Sequence, residues 1–157
     1  MSLQSVKAAV KDTALENAII PLPHTGATVE LAADAVGCTP DEIAKTLSFL
    51  VDEQAVLIVV SGNARIDNKK YKAFFHKKAK MIPWDEVEAY TGNLPGGVCP
   101  FGVKAGVQIY FDASMQRHEV FYPAAGDENF VIRMPVDTAR EILGIAEFID
   151  VTQEIEP

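Results

Sequence analysis

The chain has 157 residues, of which 48% are hydrophobic and 23% charged, and this composition is typical of one folded domain spanning residues 1–157. It contains no apolar run of about 18 residues, and its first residues lack the apolar core of a signal peptide, so we expect no membrane partner and a cytoplasmic location. The net charge of −8 argues against broad, non-specific nucleic-acid binding and against a DNA partner.

Hydrophobic periodicity, capping residues and glycine or proline breaks predict six helices and six strands. The predicted helices cover residues 3–17, 28–37, 39–45, 68–75, 84–91 and 135–143. The predicted strands cover residues 46–51, 55–61, 107–111, 119–122, 130–134 and 146–150. Two helix starts have clear signals, because Thr39 and Glu42 have the spacing of a capping box and Asp67 can cap the helix that follows it.

Short connections join most of the predicted strands, and residues 52–54 have the length of a hairpin turn. A regular alternation of strand and helix is absent, so a doubly wound fold is not expected. We therefore predict an α+β fold with a curved mixed sheet flanked by helices. The last seventeen residues contain five acids and no Lys or Arg, which predicts a solubilising surface without chemistry.

Lys45 is the one charged residue in the apolar run of residues 43–51. Lysine is rarely buried, and its ammonium is costly to desolvate without a partner. Two interpretations follow. Lys45 is either a strand-edge residue with its ammonium in solvent, which is the commoner arrangement, or it presents a positive charge to a small anion or an ester oxygen inside a polar cavity.

Basic residues are concentrated in residues 65–80. This segment has seven basic residues and one acid, a net charge of +6, whereas the rest of the chain has seven basic and twenty-one acidic residues, a net charge of −14. Such a segment can hold a polyanion at one place, although a solvated helix face is the commoner explanation. Its basic residues are Arg65, Lys69, Lys70, Lys72, Lys77, Lys78 and Lys80.

The stretch of residues 94–102 is a loop rich in glycine and proline. The adjacent Gly96 and Gly97 allow close approach of a ligand, and Pro95 and Pro100 stiffen the loop. A rigid loop of this kind can direct successive backbone N–H groups at an oxygen, as an oxyanion hole does. An ordinary tight connection is the alternative.

Other chemistry has weaker signals. The two cysteines, Cys38 and Cys99, lie far apart and have no metal-type spacing, and Cys99 lacks a local nucleophile motif. His24 lies in a loop that can line a pocket, and the small residues after Tyr122 form a shallow wall where a small side chain can rest. We find no phosphate-binding glycine motif and no metal-binding spacing, so neither a cofactor nor a metal is predicted.

Several segments, taken in order, resemble the YbaK/EbsC family, a domain associated with editing by prolyl-tRNA synthetase. These segments are Lys45-Thr46-Leu47 after a short capped helix, two apolar strands, residues 62–72, residues 96–102, and Ala125-Gly126 after a strand. The resemblance covers nearly the whole chain. It implies a mixed α/β domain with a partly barrel-like sheet. It also implies a trans-acting deacylase that hydrolyses the ester of mischarged tRNA, most directly Cys- or Ala-tRNA(Pro).

The resemblance implies roles for individual residues. Lys45 is the central functional residue, and backbone N–H groups of Gly97, Val98 and Cys99 face the developing negative charge; many relatives have serine at Cys99, so a nucleophilic thiol is not expected. The predicted substrate-binding residues are His24, Thr46, Gly96, Pro100, Phe101, Ala125, Gly126 and Asn129. The predicted tRNA-binding residues are Arg65, Lys69, Lys70 and Lys72.

The implied partners are the aminoacylated 3′ adenosine of the tRNA acceptor end and prolyl-tRNA synthetase. A rival hypothesis is a non-catalytic tRNA- or synthetase-binding module with the same fold, which the low isoelectric point of about 4.8 favours. A third hypothesis is a thiol hydrolase that uses Cys99.

Overall fold

A computed structural model of the chain describes residues 2–155. Its α-helices are α1 (Ser2–Val10), α2 (Val29–Val36), α3 (Asn68–Phe75), α4 (Val87–Thr91) and α5 (Val136–Leu143). Its strands are β1 (Ile19–Pro21), β2 (Ile43–Val51), β3 (Gln54–Ser61), β4 (Ala64–Ile66), β5 (Gln108–Asp112), β6 (Val120–Pro123), β7 (Phe130–Ile132), β8 (Met134–Pro135), β9 (Phe148–Ile149) and β10 (Thr152–Glu154). Three 3₁₀-helices cover Pro40–Glu42, Trp84–Glu86 and Ala113–Gln116. Within residues 2–155, no helix is long and apolar enough to cross a membrane.

A curled, half-barrel sheet of six strands forms the centre of the fold, in the order β8-β6-β2-β3-β5-β9. β2 and β3 form an antiparallel hairpin, while β6 lies parallel to β2 and β5 parallel to β3. The hairpin closes through Asp52 and Glu53, which both adopt positive φ angles, as a two-residue turn matched to strand twist requires. The sheet is therefore mixed, and the predicted α+β fold with a curved, partly barrel-like sheet is confirmed.

Hydrophobic side chains cover both faces of the β2–β3 hairpin. On one face, Phe49 and Val56 pack with the fully buried Tyr71 of α3. On the other, Ala44 and Val59 belong to a larger core that includes residues of α1, α5 and the loop after α4. Because side chains alternate along a strand, Lys45 lies on the face of Phe49 and Thr46 on the opposite face.

Local capping signals predict several boundaries correctly. The Thr28 hydroxyl accepts the Leu31 N–H at 3.2 Å at the start of α2, which ends at Gly37 with φ 85°. The Asp67 carboxylate accepts the N–H groups of Lys69 and Lys70 at 3.0 and 3.1 Å, so α3 begins where the sequence predicts.

Other boundaries differ from prediction. The first helix ends at Val10 rather than at residue 17, and Asp12 follows with φ 62°, a left-handed conformation that interrupts helical hydrogen bonding. The helix that the sequence predicts over residues 39–45 is a single 3₁₀ turn, and β2 begins at Ile43. Lys45 is therefore a residue of the strand and not of the helix before it.

The acidic C-terminal stretch is both surface and part of the fold. Its described acids, Glu141, Glu147, Asp150 and Glu154, are exposed, and the strand predicted over residues 146–150 is present as β9, whereas β10 was not predicted. β9 extends the central sheet beside β5, and β10 pairs with β4. The Thr152 hydroxyl donates to the buried Asp112 carboxylate at 2.6 Å, and the Val151 N–H donates to the same carboxylate at 2.9 Å. These contacts tie the acidic tail to the sheet as far as residue 155. The last two residues of the predicted tail, Glu156 and Pro157, lie outside the described part of the chain.

Candidate active site

A cavity of about 410 Å³ opens beside β2. Sites for small molecules commonly have volumes of about 300–1,000 Å³, so this cavity suits a small organic group rather than a nucleic-acid stem. Most of the lining is apolar; among the described lining residues, Lys45 and Glu128 are the only ones charged at neutral pH. The walls come from residues 26–32, 43–48, 81–87, 95–98 and 122–131.

The start of β2 is held by two contacts of the preceding 3₁₀ turn. The Asp41 carboxylate accepts hydrogen bonds from Arg117 at 2.9 Å and contacts the His118 ring at 2.7 Å. The Pro40 carbonyl lies so close to Gly62 that a Cβ there would come within 1.9 Å of the carbonyl oxygen, which only glycine avoids. These contacts fix the strand that carries Lys45.

Lys45 is neither a strand-edge residue with its ammonium in solvent nor a residue with a free ammonium inside the cavity, but has features of both. The residue is half-buried and lines the cavity, but its ammonium donates a hydrogen bond to the Ala64 carbonyl at the start of β4 rather than extending freely into solvent. Burial lowers the pKa of Lys45, and the carboxylate of Glu30 opposes that shift. The ammonium is thus a desolvated positive charge at the cavity wall, held by a neutral acceptor.

Thr46, which the sequence analysis predicts to bind substrate, also lines the cavity. Its hydroxyl oxygen is buried and has no hydrogen-bond partner within residues 2–155. A buried hydroxyl without a partner is costly, so this one calls for an explanation, and a ligand in the cavity could supply the missing hydrogen bond.

The glycine-proline loop lies against the segment after β6. A Cβ on Gly97 would stand 2.4 Å from the Asp127 nitrogen, so only glycine permits this approach of two backbones. The Gly97 N–H donates to the Leu94 carbonyl at 2.9 Å, so it already has a partner in this conformation, and its role as an oxyanion donor stays a prediction. The Val98 N–H makes no hydrogen bond within the described residues, and both Gly96 and Val98 line the cavity.

Cys99 lies behind the loop and does not line the cavity. Its side chain is 0% exposed, and its sulfur accepts the Phe101 N–H at 3.4 Å. Burial raises the pKa of Cys99 to about 12, against the opposing hydrogen bonds of the Phe101 and Gly126 N–H groups. The buried thiol is therefore unsuited to act as the nucleophile of a thiol hydrolase, and it packs between two loops. The predicted role of the Cys99 backbone N–H as an oxyanion donor concerns a different group and stays a prediction.

Pro100 and Phe101 are buried as well and do not line the cavity, so the structure gives no support to the prediction that they bind substrate. Phe101 belongs to the main core together with Cys99 and is 2% exposed. Their predicted role came from the resemblance of the glycine-proline loop to the family, and a motif does not show which of its residues face a cavity and which face the core.

The opposite wall also differs from prediction. Ala125 and Gly126 are buried behind the surface, and the Asn129 side chain is exposed outside the cavity. A tight turn causes the difference, because the Ala125 N–H donates to the Phe130 carbonyl at 2.9 Å and the Phe130 N–H donates to Asp127 at 3.2 Å. The residues that line the cavity here are Tyr122, Ala124, Glu128, Phe130 and Val131.

His24 lies outside the cavity, and its predicted role in substrate binding is not supported. Its ring contacts the Thr25 carbonyl at 3.0 Å and the Asp34 carboxylate at 3.0 Å, and these contacts raise the pKa of His24. Gly26, two residues later, lines the cavity instead.

Exposed side chains at the rim were missed by the sequence reasoning. Trp84 is 69% exposed and Met81 is 56% exposed, although both are large and apolar. In the sequence these two residues lie near each other around Pro83, but they belong to no motif that would have indicated a site.

The basic segment flanks the cavity at both of its ends. It begins beside Ala64, which accepts the Lys45 hydrogen bond, and it ends at Met81 on the rim. Within residues 2–155, the predicted tRNA-binding residues Arg65, Lys69 and Lys72 are exposed and form no ion pair, whereas Lys70 contacts Asp150 at 3.1 Å. The segment therefore adjoins residues of the site at both ends, and several of its positive charges form no ion pair within residues 2–155.

A sequence model of the aminoacyl-tRNA editing domain matches residues 24–142, the range that contains every lining residue of the cavity. The chain belongs to this family. The editing domain is 38% identical over 157 residues to "Uncharacterized protein YwhH" of Bacillus subtilis, a match that covers 99% of this chain and 100% of the other.

Two further comparisons concern proteins with more informative names. The editing domain is 28% identical over 127 residues to the "Putative Cys-tRNA(Pro)/Cys-tRNA(Cys) deacylase EbsC" of Enterococcus faecalis, covering 80% of this chain and 77% of the other. Its fold matches the crystal structure of "a putative trans-editing enzyme for prolyl tRNA synthetase" with a TM-score of 0.86 and 26% identity, over 97% of each chain.

The editing domain also resembles part of a much longer enzyme. It is 36% identical over 93 residues to the proline–tRNA ligase of Shouchella clausii, which covers 59% of this chain but 16% of the ligase. The similarity therefore concerns one segment of the ligase and not its whole activity.

Proposed function

We propose that this editing domain is a trans-acting deacylase that hydrolyses the ester of mischarged aminoacyl-tRNA in the cytoplasm, with Cys- or Ala-tRNA(Pro) as substrate. One observation carries the proposal: a cavity of about 410 Å³ that is bounded by the Lys45 charge and by the Gly96–Val98 backbone in a member of this family. The names of EbsC and of the trans-editing enzyme, and the similarity to proline–tRNA ligase, support the choice of tRNA(Pro).

The reaction needs no strong protein nucleophile, because an aminoacyl ester is already activated. Water, oriented by the terminal ribose hydroxyl or by the thiol of a cysteinyl substrate, attacks the carbonyl carbon. The tetrahedral intermediate then collapses, the ester C–O bond breaks, and the ribose oxygen leaves with a proton. The buried thiol of Cys99 takes no part in these steps.

Two groups of the protein stabilise the charge that develops on the carbonyl oxygen. The Val98 N–H, free of other hydrogen bonds within the described residues, is the proposed oxyanion donor, and one such donor is typically worth about 3 kcal/mol. Lys45 supplies a positive charge for the carbonyl oxygen or the terminal phosphate by exchanging its bond to Ala64 for one to substrate.

Deacylation of a panel of mischarged tRNAs tests the proposal. The panel contains tRNA(Pro) charged with Cys, Ala and Pro, together with Cys-tRNA(Cys). We expect hydrolysis of Cys- or Ala-tRNA(Pro) well above the spontaneous rate and protection of Pro-tRNA(Pro). A protein that binds these tRNAs but hydrolyses none of them is instead the non-catalytic tRNA- or synthetase-binding module.

A further inference from the structure

We propose that the Glu128 carboxylate binds the α-ammonium group of the aminoacyl ester and makes the cavity selective for acyl groups with a free amine. This proposal rests on the proposed deacylase function. It concerns a residue that sequence reasoning did not select.

Glu128 is positioned at the cavity wall beside the glycine loop. Its Oε2 atom lies 3.2 Å from the point where a Cβ on Gly96 would stand, and the Cη2 atom of Trp84 lies 3.6 Å from the same point. The Glu128 carbonyl accepts the Gly26 N–H at 2.7 Å, which fixes the backbone of this residue between two walls. The carboxylate therefore occupies a defined place in the cavity and is not a loosely attached surface group.

The Glu128 carboxylate has no partner in the part of the chain that the structure describes. Within residues 2–155, the Glu128 side chain makes no hydrogen bond and no ion pair, and it is the one carboxylate among the described lining residues. The one lining cation, Lys45, donates to Ala64 instead. Apolar surroundings strengthen the attraction of this unpaired charge for a cation that enters the cavity.

The chemistry of the substrate indicates which cation this is. A carboxylate near a developing oxyanion opposes the reaction unless a positive charge lies between them. An aminoacyl ester carries such a charge on the carbon next to the carbonyl, whereas the ribose hydroxyls are neutral and the phosphates are repelled. The α-ammonium is thus the group of the substrate that complements Glu128.

A pair of substrates that differ only in this group tests the proposal. In an α-hydroxyacyl-tRNA a hydroxyl replaces the ammonium with almost no change in size; lactyl-tRNA(Pro) is the counterpart of Ala-tRNA(Pro). We expect Glu128→Gln to lower kcat/KM for the aminoacyl-tRNA by about tenfold or more, and for the α-hydroxyacyl-tRNA by less than about twofold. Comparing variant with wild type on each substrate cancels the different intrinsic reactivity of the two esters.

Glu119→Gln is the matched control, because Glu119 is exposed and does not line the cavity. Equal losses on both substrates, or no loss on either, would overturn the role of Glu128 while leaving the proposed deacylase function intact.

A binding experiment tests Glu128 even if the wild type hydrolyses no member of the panel and the proposed function fails. The probe is alanyl-3′-amino-3′-deoxyadenosine, a stable amide, and its affinity is compared with that of its lactyl counterpart. Tighter binding of the alanyl compound that is lost in Glu128→Gln supports the proposal. Equal affinity for the two compounds overturns it.

Discussion

At the scale of single residues, Lys45 shows how a charge is kept available inside an apolar strand. Its ammonium is desolvated enough for burial to lower its pKa. Its partner is a backbone carbonyl, and within residues 2–155 no carboxylate forms an ion pair with it. A bond to a neutral acceptor is weaker than one to a carboxylate, so the ammonium can transfer to an anionic ligand at smaller cost. This arrangement suits a group that must be exchanged during a reaction.

Replacing Lys45 by alanine should therefore remove activity and preserve the fold. We expect Lys45→Ala to lower the single-turnover deacylation rate by at least about a hundredfold, since a preorganised charge at the oxyanion is worth about 3 kcal/mol. Lys104→Ala is the control, because the Lys104 ammonium also donates to a backbone carbonyl, that of Ala89 at 2.7 Å, but lies outside the cavity. Near-normal rates in Lys45→Ala, with Lys104→Ala unchanged, would contradict a catalytic role.

Trp84 at the cavity rim provides a second prediction. An exposed aromatic ring beside a site for the end of a tRNA is suited to stack on the terminal adenine, and stacking is worth about 1–3 kcal/mol per base. We expect Trp84→Ala to weaken binding of a deacylated tRNA by roughly fivefold to a hundredfold and Trp84→Phe to recover most of that loss. Fluorescence titration of Trp84, the one tryptophan of the chain, measures the contact directly, and an unquenched signal on tRNA binding would count against stacking.

At the scale of elements, the site depends on one loop lying against another. The 94–102 loop reaches the backbone of Gly126 and Asp127 because Gly97 has no Cβ, and the Cys99 sulfur packs between the same two loops. Both loops are therefore positioned together, so a change at their contact should move the cavity wall.

Gly97→Ala tests this contact. The added Cβ would meet backbone atoms at 2.4 Å, which forces the loop to shift, and we expect deacylation to fall by more than about tenfold and the free energy of unfolding by about 1–3 kcal/mol. Gly106→Ala is the control for backbone strain, because Gly106 has φ 90° with open space around it and lies outside the cavity. The control should lose some stability and no activity; equal activity in both variants would show that the loop contact does not shape the site.

At the scale of the whole molecule, the sequence predicts the parts that local rules determine. The caps at Thr28 and Asp67 and the two long apolar strands are local signals, and the basic segment is visible in composition alone. The pairing of β10 with β4 and the burial of Cys99 depend on contacts between distant residues, and short strands such as β1 leave no periodicity to detect. The sequence predicts Ala125 and Asn129 in the cavity wall, whereas the structure has Glu128 there. This difference follows from one turn, which no local sequence pattern specifies.

The separation of charge across the molecule leads to a last prediction. The segment of net charge +6 adjoins cavity residues at both of its ends, whereas the rest of the chain has a net charge of −14. We therefore expect this segment to be the main contact for tRNA phosphates, and binding should weaken steeply with salt. Reversing Lys69 and Lys72, which have no ion pairs within residues 2–155, should weaken tRNA binding at low salt and reduce the slope of log K against log salt by about two. Reversing the exposed Lys7 and Lys11 changes net charge equally but far along the chain from the cavity residues, so it should leave most of the slope unchanged. Equal effects of the two pairs would mean that overall charge, rather than this segment, governs the association with tRNA.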